Sequence, residues 1–181
     1  TYEALDLTAW HDQAWRDPWV MPVNGGFEAY VTARAATGTK DARGVIGRAR
    51  SVDLVDWRVT DPIEVRPAGQ YGHLEVPQVL ELDGRWYLLF CTAAETHSAA
   101  WRDRHARPPR TGTFYAVATD PTGPFTLVDS DPLGPDDGTT CFSGRIARTS
   151  DGPMFLAWRM FDTDGGFAGE GMSPGRTMRP R

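Results

Sequence analysis

The sequence predicts an all-β fold, a partial five-bladed β-propeller of about two and a half four-stranded blades. Short apolar runs bounded by Gly, Pro, Asp and Asn recur along the chain, as expected for successive strands and turns. Helical periodicity is weak throughout, with one short candidate around residues 93–106. The order of strands and turns also repeats, and repetition at this spacing is typical of blades.

The first unit begins with β-strand signals at residues 17–20 and turns at residues 24–26. Its later strands are predicted at residues 27–34, at residues 44–50 and from about residue 57, ending at Asp61-Pro62. The turn carries the Asn-Gly pair that is common between antiparallel strands. This unit therefore has the four strands expected of one blade.

The second and third units follow the same plan. The second begins at residues 75–79, turns at Asp83-Gly84, continues through residues 85–92, 113–119 and 125–128, and ends at Asp131-Pro132. The third begins near residues 142–146, turns at Asp151-Gly152 and continues through residues 154–161. A β-sandwich of about ten to twelve strands would also fill the chain. The matched openings and Asp-Pro endings favour blades.

Residues 1–172 are predicted to form this propeller domain, and residues 173–181 a disordered or foreign tail. The tail is basic, rich in Pro and Gly, and lacks strand periodicity. Propeller blades depend on their neighbours, and about two and a half blades do not close a ring of four to eight. We therefore expect the chain to be a fragment of a longer protein.

Composition and charge exclude several functional classes. Lys and Arg number 19 against 24 Asp and Glu, giving a formal net charge of −5 without a basic stripe, which argues against a nucleic-acid partner. No apolar run reaches the ~20 residues of a membrane-spanning helix, so no membrane partner is predicted. The two cysteines, Cys91 and Cys141, form no C-x-x-C pair, and no His spacing suits a metal. We predict neither a metal nor a cofactor.

Two carboxylates are the candidate catalytic residues, because the first strand of each propeller blade lines the central channel. Asp17 and Glu75 stand at the openings of the first two units, each at the head of an apolar strand that contains a Pro. Glycoside hydrolysis needs one protonated and one ionised carboxyl group at the scissile bond. Glu75 has the more apolar flank and is the predicted acid, whereas Asp17 follows Arg16 and is predicted to stay ionised.

The motifs Arg16-Asp17-Pro18 and Glu75-Val76-Pro77 resemble the Arg-Asp-Pro and Glu-Cys-Pro motifs of glycoside hydrolase family 32, the β-fructosidases, and of related five-bladed propellers. The stretch at residues 51–57, SVDLVDW, is similar to a blade segment of these enzymes. The resemblance covers roughly residues 10–170. Val76 stands where the family motif has Cys.

The resemblance implies a retaining glycosidase acting on fructosyl chains, with Glu75 as general acid/base and Asp17 as transition-state stabiliser. Arg16, His73 and Trp19 are the predicted substrate-binding residues, and a carbohydrate is the predicted partner. The family's nucleophile is an Asp on the preceding blade. Asp6 and Asp12 lie in a different context from that Asp, so we expect no hydrolysis by residues 1–181 alone.

Two other functions stay open at this stage. An arabinan- or xylan-type five-bladed glycosidase would share the carboxylates but differ in its pocket walls. A non-catalytic propeller would bind sugars or proteins; the blades lack a Trp-Asp dipeptide ending, which disfavours a protein scaffold. The Arg-, His- and Trp-rich segment 93–112 is predicted either to bring His97 and Trp101 to the substrate or to form a solvated surface loop.

Overall fold

The computed structural model describes residues 1–4, 14–134 and 139–169, and the backbone of residues 176–177. These residues form three mainly antiparallel sheets that follow one another along the chain. The all-β prediction and the blade-like sheets are confirmed. Three separate sheets also rule out the alternative of two stacked sheets in a sandwich.

The first sheet is a four-stranded meander. Its strands, in spatial and chain order, are β1 (Trp15–Val23), β2 (Gly26–Arg34), β3 (Gly44–Ser51) and β4 (Arg58–Ile63). Asn24 and Gly25 make the β1–β2 turn, where Gly25 takes a φ of 79°. A short 3₁₀ helix, Lys40–Ala42, lies between β2 and β3. The four strands predicted for this unit are therefore present, with bounds that differ by at most three residues.

The second sheet repeats that meander and adds a strand from the connection between the sheets. The chain order is β5 (Val65–Arg66), β6 (Glu75–Leu82), β7 (Arg85–Thr92), β8 (Gly112–Ala118) and β9 (Phe125–Leu127). The spatial order is β5-β9-β8-β7-β6, because β5 pairs in parallel with β9 at the outer edge. The sequence pattern did not predict β5.

The third sheet contains the long hairpin of β10 (Thr140–Thr149) and β11 (Gly152–Phe161), together with the two-residue strand β12 (Arg176–Thr177). β12 pairs with β11, Met154 opposite Thr177. The predicted tail at residues 173–181 lies outside the described residues except for this backbone pairing.

The predicted helical segment around residues 93–106 contains a 3₁₀ turn, Ala94–Thr96, and a short helix, α1 (Ala99–Arg104). Ser98 caps α1: its hydroxyl accepts a hydrogen bond from the backbone N–H of Trp101 at 3.1 Å. This segment connects β7 to β8 at the end of the sheet where β6 begins.

The first strand of each sheet carries the same β-bulge. In β1, residues 17–18 lie opposite one residue of β2; residues 76–77 do the same in β6, and residues 143–144 in β10. In each bulge the first residue has a positive φ: 56° at Asp17, 50° at Val76 and 53° at Ser143. Bulges of this kind bend a strand and redirect its side chains.

The apolar core lies between the sheets. One cluster joins the first and second sheets, and its largest fully buried members are Tyr30, Ile46, Leu88, Phe90 and Phe125. A second cluster joins the second and third sheets through Leu80, Leu82, Leu89, Cys141, Ile146, Phe155 and Ala157. At the inner edges, β1 contacts β6, and β6 contacts β10. This packing brings the three bulged strands together.

Side chains join each bulge to the next by a repeated hydrogen-bond pattern. The backbone N–H of Val76 donates to Thr32 Oγ1 at 3.0 Å, and that of Ser143 donates to Cys91 Sγ at 3.1 Å. Thr32 and Cys91 occupy equivalent places on the second strands of their sheets, each opposite the residue that precedes a bulge.

Candidate active site

Arg16 and Glu75 form an ion pair between the first and second sheets. Arg16 Nη2 donates to Glu75 Oε1 at 2.7 Å, and the two side chains are 34% and 22% exposed. Each residue directly precedes the bulge of its strand, so the two bulges place these side chains towards each other. The pair is partly shielded yet open to a ligand.

Asp17 lies on the other side of the same guanidinium. Its Oδ2 is 3.6 Å from Arg16 Nε and accepts a hydrogen bond from Thr32 Oγ1 at 3.2 Å. The positive φ of Asp17 turns its side chain away from the regular alternation of β1. Arg16 therefore contacts both predicted catalytic carboxylates, and the structure brings Asp17 and Glu75 to one place.

Asp17 and Glu75 do not occupy equivalent positions of their strands, although both were predicted at the openings of their units. The bulge registers align Arg16 with Glu75, and Asp17 with Val76. Asp17 is the first residue of its bulge, whereas Glu75 precedes its own. They meet because β1 contacts β6 and Arg16 binds both side chains.

His73 is buried beside Glu75. Its side chain is 2% exposed, and its Nδ1 lies 3.9 Å from Glu75 Oε1. This burial leaves little of the His73 side chain accessible to a sugar. Substrate contact by His73 stays a prediction.

Trp19 uses its polar atom to bind the neighbouring sheet. Its Nε1 donates to the carbonyl of Val79 at 2.9 Å, and the guanidinium of Arg145 lies over the indole at 5.6 Å from the ring centroid. At the equivalent position of the second sheet, Gln78 bonds to both backbone groups of Ile146, at 2.8 and 3.0 Å. Trp19 thus has a structural contact besides its predicted role in substrate binding.

Arg145 is the residue of this cluster that sequence reasoning missed. It belongs to the third sheet, and its Nη1 donates to the carbonyl of Val76. Burial lowers the pKa of the guanidinium, and the negative charge of Asp17 acts in the opposite direction. The sequence did contain a signal for Arg145. It lies two residues after Ser143 near the start of the third unit, at the position that Trp19 and Gln78 occupy in the first and second units.

The segment 93–112 does not bring His97 and Trp101 to the substrate. Both are buried, at 2% and 4% exposure, and their rings lie 4.5 Å apart in an edge-to-face contact. The segment packs on residues 70–74: Gly72 N–H donates to Thr96 O at 2.7 Å, and Ser98 N–H donates to Gln70 O at 3.0 Å. It therefore supports the chain that leads into Glu75.

Within residues 1–4, 14–134 and 139–169, no group of three or more His, Cys, Asp or Glu side chains is arranged to hold a metal ion. Over the same part of the chain, no helix has the length and apolar character needed to cross a membrane.

Solved structures with a similar fold are propeller enzymes of low sequence identity. The inulosucrase from Halalkalicoccus jeotgali bound to kestose matches with a TM-score of 0.66 and 19% identity, over 84% of this chain and 40% of that one. Bacillus subtilis levansucrase matches with a TM-score of 0.65 and 15% identity, over 91% of this chain and 47% of that one. A B. megaterium levansucrase variant matches equally well, over 91% and 46%. The chain thus spans less than half the length of these structures.

A search among curated proteins gives no match. The model of glycosyl hydrolases family 43, in contrast, matches residues 11–176, which is nearly the whole chain. The predicted membership in a family of propeller glycosidases is confirmed, but the resemblance to family 32 in particular is not. The chain belongs to glycosyl hydrolases family 43.

Proposed function

We propose that this chain forms part of the active site of a protein that hydrolyses O-glycosidic bonds of an oligo- or polysaccharide, with Glu75 and Asp17 as two of its carboxylates. The contact of one guanidinium, that of Arg16, with both carboxylates across two blades is the observation that carries the proposal. Membership in glycosyl hydrolases family 43 supports it.

Glu75 is assigned as the proton donor to the leaving oxygen, and Asp17 as the ionised group that holds sugar hydroxyls. Proton donation requires that Arg16 release Glu75, because a guanidinium at hydrogen-bonding distance favours the ionised form of a carboxyl group.

Fructosyl chains are the proposed substrates. The Arg16-Asp17-Pro18 motif supports this choice, and so does the similarity of fold to an inulosucrase and to levansucrases. An arabinan- or xylan-type glycosidase is the second candidate, since the matching family is 43 and not 32. A retaining course also needs a nucleophilic carboxylate, and both Asp6 and Asp12 lie outside the described residues.

The first test is substitution of the proposed acid. Glu75→Ala should lower turnover of natural glycosides by roughly 10²–10⁴-fold, because general acid catalysis contributes about that much. It should retain more activity on aryl glycosides, whose leaving groups need little protonation. Glu95→Ala is the control, because Glu95 is an exposed carboxylate in the segment beside the site.

The outcome that removes Glu75 from the mechanism is unchanged turnover of unactivated glycosides. Assays on levan, inulin, sucrose, arabinan, xylan and aryl arabinosides separate the two substrate candidates. Proton NMR of the first anomer released gives the stereochemical course. If calorimetry shows sugar binding but no substrate is cleaved by the wild-type protein, the non-catalytic alternative holds instead.

A further inference from the structure

A second groove lies at the turn end of the first sheet, away from the candidate active site. It has a volume of about 550 Å³ and is lined by the β1–β2 turn and by the connection from β3 to β4. Asp17 and Val23 are six residues apart on β1, which is ~20 Å at the rise of an extended strand. The groove and the carboxylate pair therefore open towards opposite ends of the blade.

Two arginines stand side by side in this groove. Arg50 on β3 pairs directly with Arg58 on β4, and both line the cavity. Like charges directly opposite each other on neighbouring strands destabilise a sheet. Arg50 has only a distant ion pair, 3.6 Å from Glu28, and Arg58 has none with any residue that the structure describes. Two carboxylates offset part of this positive charge: Glu28 lies opposite Arg50 on β2, and Asp56 lines the cavity. An anion between the two arginines would remove the repulsion that remains.

Trp57 supplies an aromatic wall next to the arginines. Its Nε1 donates to the carbonyl of Leu54 at 3.2 Å, so its one polar atom is already used within the loop. Phe27 and Asn24 line the same cavity. Aromatic rings pack on the C–H faces of sugars, while an amide and guanidinium groups bond to their oxygens.

The loop that carries Trp57 is held in place by its own hydrogen bonds. Asp53 Oδ1 accepts from the N–H groups of Val55 and Asp56 at 2.9 and 3.0 Å, and Ser51 Oγ accepts from Leu54 N–H at 2.8 Å. The hydrogen bonds from the N–H groups of Asp56 and Val55 lower the pKa of Asp53. A preformed wall costs little entropy when a ligand binds.

We propose that this groove binds a carboxylate-bearing glycan segment, with uronic acid units paired to Arg50 and Arg58 and a sugar ring packed on Trp57. The inference rests on the second substrate candidate of the proposed function, because xylans can carry uronic acid units whereas fructosyl chains carry none. A planar guanidinium matches a carboxylate with two parallel hydrogen bonds. A second sugar site ~20 Å from the first raises the effective concentration of a long chain at the catalytic carboxylates.

Calorimetric titration with tetragalacturonate, against a neutral tetrasaccharide such as xylotetraose, tests the proposal. The wild-type protein should bind the acidic probe more tightly and lose affinity as salt is added. Arg58→Gln should weaken that binding roughly ten- to a hundredfold, as expected for loss of a charge-assisted hydrogen bond. Trp57→Ala should weaken it as well, and circular dichroism confirms that each variant is folded.

Arg85→Gln is the matched control, because Arg85 is an exposed arginine at the same end of the second sheet. It should leave binding unchanged. Glu75→Gln should also leave tetragalacturonate binding unchanged, whereas the groove variants should leave turnover of small aryl glycosides unchanged. Equal affinity for the two probes, no binding, or full binding by Arg58→Gln would each overturn the groove proposal while leaving the proposed catalytic role of Glu75 intact.

Discussion

Buried polar side chains hold the short segment that leads into Glu75. Arg34 is fully buried; its Nη1 donates to the carbonyl of Gly72 at 2.6 Å, and its Nε pairs with Glu3 at 2.7 Å. On the other side, His97 bridges to Tyr71 through the backbone. Residues remote from the chemistry therefore fix the start of β6, and with it the place of the proposed acid.

His97 makes the fold sensitive to acid. Burial is the main cause that lowers its pKa, so the folded protein holds the imidazole neutral. As the pH falls below about 6.5, the unfolded chain binds a proton before the folded chain does, and the free energy of unfolding decreases. The sign is opposite to that of a histidine stabilised by an acidic partner.

The thermal midpoint of the wild-type protein should be lower at about pH 5.5 than at about pH 7.5. The difference should be smaller in His97→Phe, because Phe keeps an aromatic ring against Tyr71 and Trp101 but cannot bind a proton. Differential scanning calorimetry at the two pH values measures both differences. An identical pH dependence in His97→Phe and in the wild type would contradict this account.

At the scale of elements, the bulge of β6 stores backbone strain. Val76 has a φ of 50°, a region that is rare for a β-branched residue. The left-handed conformation costs about 1–2 kcal/mol for a residue with a Cβ, and Asn tolerates it better. The strain lies directly beside Glu75, as is common at functional sites.

Val76→Asn should therefore raise the free energy of unfolding by about 1 kcal/mol, as measured by urea titration. Val59→Asn is the control: Val59 is an exposed valine on β4 with ordinary strand pairing, and the same change there should lower stability slightly. If Val76→Asn lowers stability as Val59→Asn does, the strain does not carry the expected cost.

Most strands were predictable because turns and alternation are local signals. Arg85–Thr92 has the bounds predicted from its sequence, and the other strands of the three hairpins differ by at most three residues at either end. The bulges were not predictable. They are a matter of backbone register between two strands, which no tripeptide pattern records. β5 was missed because two residues are too few to show alternation.

At the scale of the whole molecule, the repeated hydrogen bonds between neighbouring bulges join the blades. Thr32 is fully buried, accepts from Val76 N–H and donates to Asp17. One hydroxyl group thus links the interface between two blades to the geometry of a predicted catalytic carboxylate. Long-range partners such as these depend on the packing of blades and were beyond sequence reasoning.

Thr32→Val should lower the free energy of unfolding by about 1–3 kcal/mol, because it keeps the shape of the side chain but leaves Val76 N–H without an acceptor. Thr32→Ser keeps the hydroxyl and should lose less. Thr126→Val, an exposed threonine on β9, should change stability by less than about 0.5 kcal/mol. Urea unfolding of the three variants measures the differences; equal stability of Thr32→Val and the wild type would show that the hydroxyl is dispensable.

The parallel pairing of β5 with β9 decides where one blade can be exchanged for another. Val65 and Arg66 precede Glu75 in the chain but complete the outer edge of the second sheet, opposite Phe125 and Thr126. A chimera that joins this blade to a foreign one at Glu75 would leave β9 paired with β8 alone. The suitable junction for exchanging blades therefore lies between Ile63, the last residue of β4, and Val65, the first residue of β5.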